Sequence, residues 1–437
     1  MAQQRPRTST QRRRPAMTRD EFRQLKKLRE REQRRKLQDA YEAAKGPIDM
    51  PFLLLAMMLL AVGMIMLLSA SFPTAQASSR LGNDPLYYFK RQFRFSILGL
   101  VAMYVVSKIN YERFRGLARL GIWTSFVLLL LVIIPGPNSY GRLLALGDNG
   151  AARWLGIPGT SMQFQPSEVA KLGIIVYFAE RISQKREKMN ILFDRDGAGP
   201  LVLLLGLMAG MVLIEPHMSG AILILGMGAA MMVVGGIHWK WVALGVTGVA
   251  CAWCLMAYTD IIENILRSIQ YNASRITVWK DPFGGDLEFQ RGAAFQTRQS
   301  LITIGSGGLM GVGLGKSRQK FGFLPERHND YIFAIVFEEL GLVGGTLIML
   351  LFALLIVRGF WLAIHARDRF GSLLIVGVTT QIALQTFLNI AVVTNLIPST
   401  GISLPFFSYG GTALAIQLVE IGVVLSVSRQ IPAPKAG

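Results

Sequence analysis

Cysteine is nearly absent from this chain of 437 residues: only Cys251 and Cys254 occur, both inside one apolar run. Their spacing is that of a redox or zinc pair. No second ligand pair accompanies them, and a helix in lipid gives no reason for disulfide chemistry, so they read as small buried hydrophobes. Histidine is scarce too, and His217, His238, His328 and His365 are scattered without metal-ligand spacing such as HExxH. A P-loop is missing, since the Gly-Ser-Gly-Gly run from Gly305 to Gly308 is not a Walker motif, which argues against ATP as an energy source. No cleavable signal peptide is expected, because the first apolar run begins near Pro51 behind a basic tract far too long for an n-region. Acids are outnumbered, 27 Asp and Glu against 46 Lys and Arg, for a formal charge of +19.

What the chain has in quantity is apolar sequence. Hydrophobic residues make up 51% and charged ones 17%, with a mean hydropathy of +0.39, more than a soluble domain carries. Runs suited to crossing about 30 Å of hydrocarbon recur at Pro51 to Ala70, Phe93 to Ile109, Leu120 to Ile134, Pro166 to Phe178 and Leu201 to Ile214. More follow at Met218 to Gly235, Val242 to Tyr258, Tyr331 to Val357, Leu373 to Val393 and Thr412 to Val427. The expected fold is therefore all-α, a polytopic membrane protein of about ten transmembrane helices. Lys and Arg concentrate in alternate short loops: Arg113, Arg115 and Arg119, then Arg181, Lys185, Arg186 and Lys188, then Arg358, Arg367 and Arg369. That side reads as cytoplasmic, and both termini fall on it. The expected organisation is a basic cytoplasmic tail at 1–46, a membrane domain at 47–430 and a short cytoplasmic tail at 431–437. A large outer loop, at about 260–329, separates the seventh and eighth spans.

The N-terminal tail holds 15 Lys and Arg against six acids. Thr18 with Glu21 three residues on is a capping-box pattern, and Phe22, Leu25, Leu28 and Leu37 predict an amphipathic helix reaching Ala44. Its charge suits anionic membrane lipid, at about 1 kcal/mol per basic residue near the surface, or a cytoplasmic partner, or simple anchoring of topology. Nucleic acid is not an expected partner, since the tract lacks interleaved aromatics and is tethered to a membrane.

Charge meets membrane at Glu326-Arg327-His328-Asn329-Asp330-Tyr331-Ile332, which runs straight into the apolar stretch from Phe333. An ionisable residue at such a boundary is a candidate functional site. Asp330 sits where a carboxylate is tuned and positioned as a base, although a helix N-terminal carboxylate favoured by the dipole would look the same. The preceding loop carries Arg267, Arg275, Lys280, Arg291, Arg298, Lys316, Arg318, Lys320 and Arg327. Either a long loop escapes the charge rule or an anionic ligand such as a lipid-linked phosphate draws these cations.

Inside the membrane, Gln165-Pro166-Ser167-Glu168-Val169-Ala170-Lys171 opens the fourth span with Pro at its first turn. Glu168 and Lys171 stand three apart on one helix face, a pair that is costly to desolvate and either lines a polar cavity or locks the helix. Arg153-Trp154-Leu155 joins a cation to an aromatic, as an interfacial anchor or a cavity wall. Glu215-Pro216-His217-Met218-Ser219-Gly220 reads as a tight turn. The segment Ile397 to Gly411, rich in Pro and Gly yet apolar, should be re-entrant or packed on protein, because lipid does not tolerate exposed irregular backbone.

Four ordered strings carry a family resemblance: Phe164-Gln165-Pro166-Ser167-Glu168 through Lys171, Gln299-Ser300 through Gly308, Leu324-Pro325-Glu326-Arg327-His328 through Phe333, and Ser408-Tyr409-Gly410-Gly411. From Asp49 to Arg429 the chain resembles the SEDS family (shape, elongation, division and sporulation), the FtsW/RodA/SpoVE type of bacterial cell-wall protein. The resemblance implies a peptidoglycan glycosyltransferase that polymerises lipid II, an undecaprenyl-pyrophosphate-linked disaccharide-peptide, at the outer face of the cytoplasmic membrane. It implies a class B penicillin-binding protein as crosslinking partner, alongside other division or elongation proteins. It also implies that Asp330 is the essential aspartate, that Glu168 and Lys171 line the cavity, and that Arg91 with Gln92 and Arg153 with Trp154 form its walls. Gln299, Ser300, Glu326, His328, Ser408, Tyr409 and Gly410 fall inside the shared strings and are expected at the substrate. The chain departs from the pattern where Asn329 replaces Thr, where Phe295-Gln296 replaces Tyr-Gln, and where Glu215 to Gly220 replaces Gln-Pro-Asp-Leu-Gly-Thr. Thr400 to Phe406 resembles the division branch, a pattern that sporulation relatives share.

The implied chemistry has its own requirements. Displacing a polyprenyl pyrophosphate from a sugar C1 by another sugar's 4-hydroxyl needs a base for the hydroxyl proton and positive charge for the leaving group. Asp330 is the expected base, and a single displacement inverts the anomeric centre. Lys171, Arg153, Arg91, the loop cations or a divalent ion (Mg or Mn) would meet the phosphate charge, with no cofactor required by the sequence itself. Two other classes remain open at this stage. Glu168, Lys171, Glu338, Glu339 and Glu420 could mark the path of a lipid II flippase, and a scaffold that positions the penicillin-binding protein would make Asp330 dispensable.

Overall fold

The computed structural model describes residues 46–133, 145–148, 151–156, 163–185, 189–191, 197–215, 217–241, 274–284 and 294–431, with single positions between them. The basic tail, Cys254, most of the expected span Val242 to Tyr258 and residues 432–437 lie outside the described residues.

Local sequence sets where the helices begin. Asp49 caps α1 (Met50–Ala77) by accepting from the Phe52 N–H at 2.9 Å, and Pro51 occupies the first turn, where a missing N–H costs nothing. α1 has no ionisable residue, and at 1.5 Å per residue it runs about 42 Å, longer than the hydrocarbon layer is thick. α2 (Tyr87–Lys108) and α3 (Phe114–Ile133) follow. Then comes a feature that an all-helical expectation lacked, a small antiparallel sheet of β1 (Ala145–Asp148), β2 (Ala151–Gly156) and β3 (Gln163–Phe164). Leu155 pairs with Ala145 and Phe164 across it and buries its side chain with Val132 of α3, so the sheet folds back over a helix end.

α4 (Pro166–Gln184) starts on its proline, and α5 (Gly199–Ile214) and α6 (Met218–Val234) are joined by the short Glu215 to His217 turn. The expected outer loop contains two helices among its described residues, α7 (Ser274–Lys280) and α8 (Phe295–Ser306). Three helices complete the chain: α9 (Ile332–His365), α10 (Arg369–Val393) and α11 (Gly411–Ser428). Every expected span except Val242 to Tyr258 thus falls on a described helix. α1, α9, α10, α11 and the Tyr111–Ile133 segment are long and apolar enough to cross a membrane, and α5 and α6 are shorter apolar helices.

Polar contacts gather at the two ends of the bundle. At one end the Asp49 carboxylate accepts from Arg358 Nε at 3.0 Å and from its terminal nitrogen at 2.5 Å, while the Asp49 N–H donates to Ser428 Oγ. Nearby Asp368 accepts from Tyr111 and Arg115 at 2.8 and 2.7 Å. The N-termini of α4, α6, α9 and α11 lie toward the opposite end.

α9 is broken near that end. Gly341 adopts φ 69° and ψ −173° inside it, and the interrupted ladder is completed by the glycine-rich loop after α8. Val312 and Gly313 donate to the Glu338 and Glu339 carbonyls at 2.9 and 3.0 Å, and Leu342 and Val343 donate to the Gly308 and Leu309 carbonyls at 2.9 and 3.1 Å. A helix break at membrane depth would otherwise orphan these groups. The φ of Gly341 is one that L side chains rarely adopt, and a Cβ on Gly311 would overlap the Glu339 carbonyl. Two carboxylates clamp the rest of the loop. Glu339 accepts from Lys320 Nζ at 2.9 Å, from Ser69 Oγ of α1 at 2.7 and 2.8 Å, and from the Gly315 and Ser317 N–H groups at 3.0 and 3.3 Å. Glu338 accepts from Ser317 Oγ and from the Arg318 N–H.

Candidate active site

Asp330 stands two residues before α9, beneath the strap 397–411 that joins α10 to α11. The strap is packed on protein: Ile402, Leu404, Phe406, Phe407 and Ser408 are buried. One face of α10 holds it from below with amides one helical turn apart. Gln385 Nε2 donates to the Ser403 carbonyl at 3.0 Å, and Asn389 Nδ2 donates to the carbonyls of both Ile402 and Asp330, at 2.6 and 2.8 Å. A single amide thus ties the strap to the backbone of Asp330. Gly401 backs the carboxylate so closely that a Cβ there would stand 3.2 Å from Asp330 Oδ2.

The far half of the strap is fixed to the same short segment. Ser408 Oγ donates to the Asn329 carbonyl at 2.7 Å, and the Tyr409 N–H donates to the His328 carbonyl at 2.8 Å. Gln92 of α2, fully buried, donates through Nε2 to the Ser408 carbonyl at 3.3 Å and accepts from the Gly410 N–H at 3.2 Å. Its neighbour Arg91 hydrogen-bonds Tyr409. Tyr88 packs between the His328 and Tyr409 rings, with centroids 4.6 and 4.9 Å away. Burial pushes the His328 imidazole down to about 4, against the pull of the Glu326 carboxylate, so the ring is neutral near neutral pH. Burial likewise pushes the Tyr409 phenol up to about 12, with Arg91 working in the other direction. Arg91, Gln92, His328, Asp330, Ser408, Tyr409 and Gly410 are therefore gathered into one constellation. Glu326 stands at its rim, where Oε2 accepts from Asn329 Nδ2 at 2.6 Å.

The remaining predicted residues take other places. Lys171 Nζ and Glu168 Oε2 form an ion pair at 2.9 Å in which the lysine side chain is only 2% exposed. The first turn of α4 reaches α6 through His217, whose Nδ1 lies 3.2 Å from Gln165 Nε2 and 3.4 Å from Ser167 Oγ. α6 in turn reaches the strap, since Ser219 Oγ donates to the Gly401 carbonyl at 3.0 Å. The pair and Asp330 are thus linked through His217, Ser219 and Gly401. Gln299 and Ser300 are buried on α8, where Ser300 Oγ donates to the Val393 carbonyl at 2.8 Å and docks α8 on the end of α10. Arg153 and Trp154 lie on β2, with Trp154 half-buried. Glu338 and Glu339 serve the loop clamp.

Asn389, Gln385, Gly401, Ser219 and Tyr88 were not anticipated. The signal for two of them was present, because Gln381, Gln385 and Asn389 recur at four-residue intervals on an apolar helix. Exchanging the members of the ion pair, Glu168→Lys with Lys171→Glu, is expected to retain more activity than either single alanine. Removing one partner strands a buried charge at a cost of about 3–5 kcal/mol. Polymer yield from the three variants checks this, and an exchange no better than the alanines would show that the pair does not act as one.

Comparison with known proteins gives these features a context. The family model for FtsW, RodA and SpoVE, described as "Cell cycle protein", matches residues 50–432. "Stage V sporulation protein E" of Bacillus subtilis (strain 168) is 37% identical over 382 residues, covering 87% of this chain and 97% of that protein. "Probable peptidoglycan glycosyltransferase FtsW" of Geobacter metallireducens is 34% identical over 88% of this chain and 95% of its own length. Among solved structures, one showing how a peptidoglycan synthase complex coordinates polymerization and crosslinking superposes with a TM-score of 0.67 at 26% identity, over 87% of this chain and 98% of the other. The crystal structure of the rod shape determining protein RodA of Thermus thermophilus gives 0.61 at 26% identity, over 89% and 98%. With its apolar helices, and a family model that covers all but the two ends, this multi-pass membrane protein belongs to the FtsW/RodA/SpoVE family.

Proposed function

We propose that this protein is a peptidoglycan glycosyltransferase that polymerises lipid II at the outer face of the cytoplasmic membrane, with Asp330 as the general base. The observation that carries this reading is the double fixing of Asp330, whose backbone carbonyl is held by Asn389 while Gly401 backs its carboxylate. A base positioned this firmly meets an incoming hydroxyl with little reorganisation. The names of the relatives and of the solved synthase complex support the same chemistry.

In this reading the 4-hydroxyl of one sugar gives its proton to Asp330 as its oxygen bonds to C1 of the donor. The bond from C1 to the pyrophosphate breaks, and the electron pair leaves with the phosphate. Arg91 at the strap and Lys171 of the buried ion pair supply positive charge on the leaving side. Among the described residues no group of three or more His, Cys, Asp or Glu is arranged to hold a metal. A divalent ion, if the reaction uses one, would be held largely by the substrate's own phosphates. A class B penicillin-binding protein is the proposed partner, and division the proposed setting. The basic tail at 1–46 is proposed as the contact with anionic lipid.

The test is glycan-strand formation from labelled lipid II by purified protein, with and without a cognate class B penicillin-binding protein and with Mg, Mn or chelator. Polymer supports the reading. Its absence under every condition would return the flippase and scaffold readings to the front. Gly401→Ala adds a finer check. At φ 71° an L side chain costs about 1–2 kcal/mol, and the added Cβ must displace the Asp330 carboxylate by a few tenths of an ångström. A loss of at least about tenfold in polymerisation, equal to 1.4 kcal/mol in the barrier, is expected in a folded protein. Wild-type rates would show that the carboxylate position is not critical.

A further inference from the structure

Two polar contacts between α1 and α9 mark the depth of the bundle. At one end Asp49 holds Arg358, whose guanidinium also lies over the Trp361 ring, 4.1 Å from its centre. A cation beside an amphipathic aromatic is what a membrane surface favours. At the other end Ser69 Oγ donates to Glu339, the carboxylate that holds Lys320. Twenty residues of α1 separate Asp49 from Ser69, about 30 Å of helix, which matches the hydrocarbon layer. The two contacts therefore stand at the two surfaces of that layer.

The glycine-rich loop after α8 passes beneath the second surface. The Leu342 and Val343 N–H groups donate to the Gly308 and Leu309 carbonyls at 2.9 and 3.1 Å, so Leu309 is level with Val343. Val343 lies fifteen residues from Arg358, about 22 Å along the helix. That leaves Leu309 about 8 Å inside a layer about 30 Å thick.

The chemistry of the loop suits this depth. No ionisable residue occurs from Gln299 to Gly315, and Leu309, Met310, Val312 and Leu314 are exposed, as Leu342 and Val343 of α9 are. The turn closes on itself and on α9: Gly311 donates to the Gly307 carbonyl at 2.9 Å, and Val312 and Gly313 donate to the Glu338 and Glu339 carbonyls. Hydrocarbon demands such pairing of an irregular backbone. Cations return where the chain regains the Glu339 level. Gly315 donates to the Glu339 carboxylate, and the exposed Lys316 and Arg318 flank Ser317, which donates to Glu338.

We propose that residues 308–314 form a re-entrant wedge in the leaflet on the Asp330 side, with Leu309 and Met310 among phospholipid acyl chains and Lys316 and Arg318 at the level of the lipid phosphates. The long loop before Asp330 is in part a membrane contact. Two of the cations that the topology rule disfavours there meet their anion in the lipid itself.

The test uses the full-length wild-type protein, alone, in vesicles of phosphatidylcholine and phosphatidylglycerol. A carbene-forming probe dissolved in the acyl core is expected to label residues 308–314. Hydroxyl radicals generated in the water are expected to spare Met310, the single methionine of the tryptic peptide Gln299 to Lys316, until the protein is denatured. Oxidation of Met310 in the folded protein as fast as in the denatured chain overturns the proposal. So does a tip that neither reagent reaches, because protein then covers it. Thermal unfolding in the same vesicles gives a second readout. Met310→Asp is expected to lower the midpoint and Met310→Leu to leave it unchanged, since a carboxylate is costly in hydrocarbon. Equal midpoints for the two variants would place the tip in water and overturn the wedge. The wild-type labelling decides the question even if Met310→Asp does not fold.

Discussion

Asp330→Asn is expected to slow glycan-strand formation by about 10² to 10⁴, the range that a positioned base contributes, with almost no change in the unfolding midpoint. Asparagine fills the same space, and the bond from Asn389 goes to the backbone carbonyl, which the substitution leaves in place. What is lost is the capacity to take a proton. The competing account, a carboxylate that merely favours the N-terminus of α9, predicts the opposite pattern. It gives a stability change of about 0.3–1 kcal/mol and an unaltered rate. Labelled lipid II turnover and thermal unfolding, measured on one preparation, separate the two. Equal polymer from wild type and Asp330→Asn would remove Asp330 from the mechanism, and a collapse of the midpoint would assign it to the fold.

Lys320→Met should produce the largest stability effect. Lys320 and Glu339 are both buried, and the Glu339 carboxylate also gathers Ser69 and two loop N–H groups. Without the ammonium those neutral donors remain but the charge is uncompensated, and breaking such a pair costs about 3–5 kcal/mol. Adding Glu339→Gln to Lys320→Met removes the stranded charge, so the double variant is expected to recover part of the loss. Residues that share one network are expected to behave non-additively in this way. The readouts are the unfolding midpoint in detergent and the rate of limited proteolysis within residues 307–324. If each single variant unfolds within about 0.5 kcal/mol of wild type, the range of an ordinary surface change, the clamp does not hold the loop.

Much of the helical framework was legible because hydrophobic run length is a local property, and Pro166 marks the start of α4. The ion pair of Glu168 and Lys171 was legible for the same reason, since three residues on a helix fix a neighbour. The site itself depends on distant partners. Gln92 meets Ser408 across 316 positions, and Asn389 meets Asp330 across 59. No periodicity in one segment encodes either contact. Glu338, Glu339 and Glu420 looked alike as acids in apolar runs and shared one candidate role as a transport route. They separate only when their partners are seen, two with a loop and one with Gln381. The break at Gly341 was equally hidden, because a glycine in an apolar run looks the same whether the helix continues or stops. Its reason lies in the loop that supplies the missing bonds.

That shared ladder has a mechanical consequence. The first turns of α9, which follow directly from Asp330, are cut from the remainder of the helix at Gly341 and stitched instead to the chain at 308–313. The loop that carries these bonds ends in an exposed tip at Leu309 and Met310, 68% and 80% accessible. The two parts of α9 are thus held separately, the first by this loop and the second by the bond from Arg358 to Asp49.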